Sequence, residues 1–206
     1  SPEAVRGIGH EYEGPVTTAT LLVGPDFFVL PYEDPRRAHR LLEFSVKSAL
    51  AYSRVIRERL GLRREPGPVG LPDDFAGVFP PSLFEEFVVP YWESLYGGLG
   101  AFQRHLHSEL LRKEHLPFLG QLGIAEFDPS ADQYLTPELL RACCPVPFTG
   151  RILSWDVRDK STDALQAHYR RIASCGPVRI TFHMTALEEE KKIRALLEVA
   201  RELENV

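Results

Sequence analysis

The sequence predicts an α/β fold of parallel strands joined by helical crossovers, and three observations carry that expectation. Short β-branched or apolar runs alternate with stretches whose apolar residues recur at helical spacing. Six runs of each kind follow one another in strict alternation, the pattern of a parallel sheet with returning helices. No internal repeat, low-complexity tract or long linker interrupts the series, so residues 1–206 read as one domain.

GPVTTATLLVG (14–24) is β-branched and bounded by glycines, which predicts a buried parallel strand. Residues 34–61 place Leu42, Val46, Ala49, Ser53, Ile56 and Leu60 at spacings of three and four, a long amphipathic helix. Asp34 is placed to cap it, Pro35 opens its first turn and Gly61 ends it. PGPVGLPDD (66–74) predicts a second strand ending in two acids, and residues 80–100 a helix containing Pro90. AFQRHLHSE (101–109) reads as the third strand, residues 110–123 as a helix, and IAEFDP (124–129) as a fourth strand with acids at its end. A short helix over 136–143 opens on Thr136 and Pro137, and VPFTGRILSWD (146–156) reads as the fifth strand. Residues 161–176 form a helix with Ser161 as N-cap and Gly176 past its end; PVRITFHM (177–184) is the last strand, and residues 186–204 a helix rich in strong helix formers.

A closed eight-stranded barrel needs about 250 residues, and this series falls two βα units short. Either an open doubly wound sheet forms, or the missing units lie upstream or on another chain. With 44% hydrophobic and 26% charged residues the chain has the composition of a soluble globular protein. Its formal net charge of -5 lacks the basic excess of nucleic-acid binders. The three cysteines fit neither a disulfide framework nor a CxxC zinc site and suit a reducing cytoplasm. No apolar run reaches membrane-spanning length, and the opening SPEAVRGIGHEYEG has no leader pattern. The start at Ser1 reads as that of a fragment or a processed chain.

Four stretches, in order, choose the barrel over the open sheet. GPVTTATLLVG, DDFAGVFPPSLFEEFVVPYW (73–92), RHLHSE (104–109) and the pair RILSWDVRD and RITFHM resemble consecutive segments of the uroporphyrinogen decarboxylase superfamily, with the Ala-Gly to Pro-Tyr stretch (76–91) the most specific. The resemblance covers nearly the whole chain and implies a (β/α)8 TIM barrel lacking its first two βα units, whose open edges another copy, a swapped element or further residues would cover. Decarboxylases of the superfamily grip their tetrapyrrole with residues from those missing segments. The cobamide-dependent methyltransferase branch carries His-x-Cys in its fifth strand where this sequence has His-x-Glu, with a His in place of the later Cys. The resemblance therefore implies a methyltransferase-like enzyme passing a methyl group between a small substrate and a corrinoid on a separate protein. A tetrapyrrole-binding carboxy-lyase and a non-catalytic barrel subunit are the alternatives.

The residues carry a site reading of their own. His105, His107 and Glu109 alternate along one strand and so share a face. At the C-terminal mouth of a barrel strand that face points into the site. His107 and Glu109, joined by His183 at the end of VRITF, supply three nitrogen and oxygen ligands for zinc with a fourth position open. The bland reading is a core histidine and an ordinary polar pair. Asp73 and Asp74 end the PVGLP strand as candidate catalytic carboxylates, or else as turn acids. Glu126, Asp128, Trp155 and Asp156, at the ends of two further strands, are candidate substrate-pocket residues, against a reading as loop and surface groups.

Overall fold

A computed structural model describes residues 12–62, 66–130 and 132–204; residues 1–11, most of the stretch read for a leader pattern, lie outside the described residues. Helix α1 (Pro15–Val23) occupies the stretch expected to be the first strand. Local β propensity loses there to tertiary partners. Pro15 opens the first turn, and the buried carboxylate of Asp73, 57 residues away, accepts from the amides of Val16 and Thr17 at the helix start. Val16, Ala19 and Thr20 then face inward at helical spacing, while Leu21 and Leu22 point to solvent. Just before the helix, Gly14 donates its amide to Pro72 and the Tyr12 hydroxyl donates to the Gly70 carbonyl. The chain thus flanks the outer strand with residues 12–14 instead of pairing as a strand.

After a 3-10 turn (Pro25–Phe28) and the short α2 (Leu30–Glu33), α3 (Pro35–Arg59) is the expected long helix. The Asp34 side chain accepts from the Arg37 amide at 3.0 Å, and Gly61 has a positive φ of 64° past the C-terminus. Strand β1 (Gly67–Pro72) leads through a 3-10 turn (Asp74–Val78) into two helices rather than one, α4 (Pro81–Phe87) and α5 (Val89–Leu99). Pro90 cannot donate into a continuous helix and clashes with the preceding turn, so the chain breaks at Val88. Strand β2 (Ala101–His107) follows; the next helix begins late, as a 3-10 turn (Lys113–His115) and α6 (Leu116–Gln121), because Leu110 takes a left-handed φ of 62°. Then come β3 (Ile124–Asp128), α7 (Pro137–Cys143), β4 (Thr149–Arg151), α8 (Ser154–Asp159), α9 (Thr162–Ala173), β5 (Arg179–Thr181) and α10 (Glu190–Glu204). The stretch read as one strand over 146–156 ends at Arg151, and its last residues form α8.

The described residues therefore hold five strands, not six, all parallel and in chain order. A three-stranded sheet, β1-β2-β3, and a pair, β4-β5, are linked by a bridge between Phe127 and Phe148. Strand order and direction are those of an arc of a barrel; a closed barrel is not formed by these strands. One sheet face carries Leu71, Leu106 and Phe127 into a core with Phe84, Trp92 and Leu95. Each such side chain contributes about 1.5–3 kcal/mol by leaving water. A second cluster, with Ile152, Val157, Leu165 and Leu196, fixes α8, α9 and α10 beside β4. The opposite sheet face is left to polar residues on β2 and β3 and to Gly70 and Pro72 on β1.

Candidate functional site

Strand register sets two rows across that second face, polar on β2 and β3. Gly70 of β1 pairs with His105 of β2, which pairs with Glu126 of β3; one step nearer the strand ends, Pro72, His107 and Asp128 pair in the same way. The alternation of side chains along each strand keeps both rows on one side. These six, with Arg179, line an open cleft of about 260 Å³. A roomier hollow of about 750 Å³ lies between α3 and the end of α5, where the strands begin, lined by residues such as Leu50, Arg54 and Leu99. Chemistry in parallel α/β folds sits at the other end, outside the carboxyl ends of the strands.

His107 is the centre of the upper row. Its Nδ1 lies 3.1 Å from Asp128 Oδ2, and its Nε2 lies 3.3 Å from Asp74 Oδ1. The second approach is an ion-pair distance without hydrogen-bond geometry, so Asp74 Oδ1 stays buried and without a hydrogen bond. Asp128 is shared further: its Oδ1 accepts from the Ser130 amide and the Thr149 hydroxyl, and its Oδ2 accepts from Arg151 at 2.9 Å. The result is a chain of alternating charge, Asp74, His107, Asp128 and Arg151.

The titration of these groups follows from their neighbours. The hydrogen bond to Asp128 raises the His107 pKa above its ordinary value; burial opposes it, and the charges of Asp128 and Asp74 add to the rise. Burial works against ionisation of Asp128, but His107, the Ser130 amide, Arg151 and Thr149 outweigh it and hold the carboxyl well below the usual range. Asp74 moves up, first through burial and then through Glu109 and Asp128, with His107 opposing. Glu13, beside it, is raised by burial and by Asp74. Side by side stand a carboxylate held ionised, an imidazolium favoured by it, and a carboxyl pushed towards protonation. Groups driven apart in this way mark acid–base sites.

Asp74, His107, Glu126 and Asp128, expected at the mouth from sequence, are brought together. Asp73 is not with them. Its side chain is fully buried and accepts from the amides of Val16 and Thr17 and from Trp92 Nε1, at 3.3, 2.7 and 2.6 Å. Burial pushes its pKa up to about 6 against those donors. Its work is to tie α1 and α5 to the end of β1, while Ser108 donates to its carbonyl. Trp155 and Asp156 fall on α8, not on a strand end: Trp155 is half exposed, and Asp156 pairs with Lys160 one helical turn on.

Of the three expected zinc ligands, His107 has both ring nitrogens turned to carboxylates, Glu109 gives its amide to Asp74, and His183 is exposed beyond β5. Among the described residues, no three His, Cys, Asp or Glu side chains are grouped to hold a metal ion. As these side chains stand, the donor set does not fit zinc. What sequence reasoning missed is the cationic side of the site, Arg151 and Arg179, together with Thr149. The alternation of Thr149 and Arg151 was a usable signal, hidden when 146–156 was read as one long strand.

No family model matches the sequence, and no curated protein shows a significant match. Among solved structures, a methyltransferase from Methanosarcina mazei matches with a TM-score of 0.70 at 16% identity, over 93% of this chain and 57% of that one. At that identity the likeness is one of fold, and the chain spans little more than half the length of that protein. No described helix is long and apolar enough to cross a membrane.

Proposed function

We propose that the strands form an arc of a barrel of the uroporphyrinogen decarboxylase type, and that its polar inner face is the site of a methyltransferase-like enzyme acting on a small molecule. The observation that supports this most is His107, set between Asp74 and Asp128 at the carboxyl end of β2 and half open to the cleft. Taking a methyl group from a heteroatom requires that atom to leave with extra negative charge. An imidazolium would supply the proton from Nε2, the ring nitrogen that faces Asp74 without a hydrogen bond, a task of general acid catalysis that contributes about 10²–10⁴-fold. Asp128 keeps His107 protonated and oriented, Arg151 and Thr149 keep Asp128 in place, and Asp74 adds its charge beside the other edge of the ring. A corrinoid on a separate protein would supply the methyl-accepting or methyl-donating centre.

No step is assigned to zinc, because the expected ligands do not gather. The carboxy-lyase alternative has less support: the segments from which, by the resemblance, decarboxylases grip their tetrapyrrole have no counterpart among the described strands. A non-catalytic subunit would need the charge chain for stability alone and gives no reason for His107 to open on the cleft.

The test is methyl transfer from a panel of small O-, S- and N-methyl compounds to reduced cobalamin, followed by the absorbance of methylcobalamin. At least one donor should react, and His107→Gln should slow it about 100-fold or more. Because the protonated ring is the active form, the rate should fall as pH rises through the raised His107 pKa. A panel without any reactive donor, or a His107→Gln enzyme at full rate, overturns the proposal.

A further inference from the structure

Two guanidinium groups meet the cleft, Arg179 in its lining and Arg151 through its bond to the lining Asp128. Glu126 and Asp128 lie two residues apart on β3, about 7 Å along the strand, and each binds one arginine from the C-terminal strand pair. Arg151 of β4 gives Nη2 to Asp128, and Arg179 of β5 gives Nη2 to Glu126. Arg179 pairs in register with Thr149, so its side chain reaches Glu126 over a small residue on the same face. Each acid takes one nitrogen of a fork that has five N–H donors. What remains is unspent: Arg151 Nε is buried without a hydrogen-bond partner, and so is His105 Nε2 in the lower row. Arg179 keeps 59% of its side chain exposed, at the edge of the cleft.

A buried donor left unpaired costs about 1–3 kcal/mol, and a group that accepts from it removes that cost. Planar acceptors with two oxygens match a guanidinium edge, and bidentate binding of that kind is what distinguishes arginine from lysine. We propose that Arg151 and Arg179 form a carboxylate-binding subsite, and that the substrate is a small molecule anchored by a carboxylate beside His107. Glu126 and Asp128 are the positioning residues that hold the two forks. This rests on the reading of the cleft as the substrate site, but its test does not rest on methyl transfer.

Sodium malonate, titrated into the ¹⁵N-labelled protein at constant ionic strength, is the probe. Saturable amide shifts should concentrate at Gly70, His105, Glu126 and Thr149. Arg179→Gln, a change at an exposed side chain, should weaken binding about tenfold or more. Arg151→Lys, which keeps the charge and loses the fork, should weaken it too. Shifts that do not saturate, shifts scattered over the surface, equal affinity in Arg179→Gln, or tighter binding of inorganic phosphate than of malonate would each overturn the proposal. Malonate binding without methyl transfer from any donor would leave the subsite standing and remove the methyltransferase reading. Transfer from carboxylate-bearing donors at an unchanged rate in Arg179→Gln would do the reverse.

Discussion

Replacing Asp128 by Asn separates the two halves of its network. Oδ1 accepts from the Ser130 amide and Thr149, and an amide oxygen in the same place keeps both bonds. Oδ2 accepts from His107 Nδ1 and Arg151 Nη2, and an NH₂ there would confront two donors with a third. Two charge-assisted bonds at about 1.5–3 kcal/mol each set an upper limit of about 3–6 kcal/mol. The carboxylate keeps 25% of its side chain exposed and His107 keeps 31%, so water recovers part of the loss. His107 can also release its proton and accept from the new amide. A net cost of about 2–3 kcal/mol follows, or about 4–12 °C in Tm for a chain of this size.

The cost should depend on pH with a definite sign. His107 has a raised folded pKa, so its contribution is complete below the ordinary 6.5 and is lost as pH rises through the raised value. Asp128 has a depressed folded pKa, so its contribution is present above the ordinary 3.8 and lost as pH falls through the depressed value. The gap between wild type and Asp128→Asn should therefore be widest between about pH 4 and 6.5 and narrow at higher pH. Urea unfolding at several pH values measures it. A cost under about 0.5 kcal/mol throughout, or one that grows from pH 6 to pH 9, would refute the reasoning.

At Gly14, Ala would drive its Cβ into the buried Asp73 side chain, so Gly14→Ala should cost about 2 kcal/mol or more in thermal melts, as overpacking does. Asp73→Ala leaves Trp92 Nε1 and two amides at the start of α1 unpaired and should cost about 3–5 kcal/mol. With the Asp73 pKa raised to about 6, the stability that carboxyl adds relative to Asp73→Asn is present at low pH and lost as pH rises through about 6. Zinc added to metal-free protein should leave Tm unchanged within about 1 °C, whereas 100-fold saturation of a native-state site adds about 2.7 kcal/mol. A rise abolished by Glu109→Gln or by His183→Ala would restore the zinc reading.

Much of the fold was legible because helix signals are local. Asp34 and Ser161 each accept the amide three residues on, where the sequence placed caps, Thr136 does the same at the expected start of its helix, and Gly176 takes a positive φ of 77° past α9. Parallel direction and strand order followed from the alternation of runs. GPVTTATLLVG misled because the partner that turns it into a helix, Asp73, lies outside any local window. Strand-end position was enough to place His107, Glu126 and Asp128 in one cleft. It could not tell Asp74 from Asp73, since adjacent residues at a strand end turn to opposite sides and only packing decides which is buried. Nor could it find Arg179, whose partner Glu126 is 53 residues away and two strands over.

The most direct test is the protonation of His107 itself. ¹⁵N-resolved histidine titration of the folded protein, assigned through His107→Gln, gives its pKa in place. The account predicts a value above the ordinary 6.5, falling when Asp128 is replaced by Asn. A wild-type value at or below 6.5, or one unmoved by Asp128→Asn, would show that His107 is not the charged acid at the centre of the cleft.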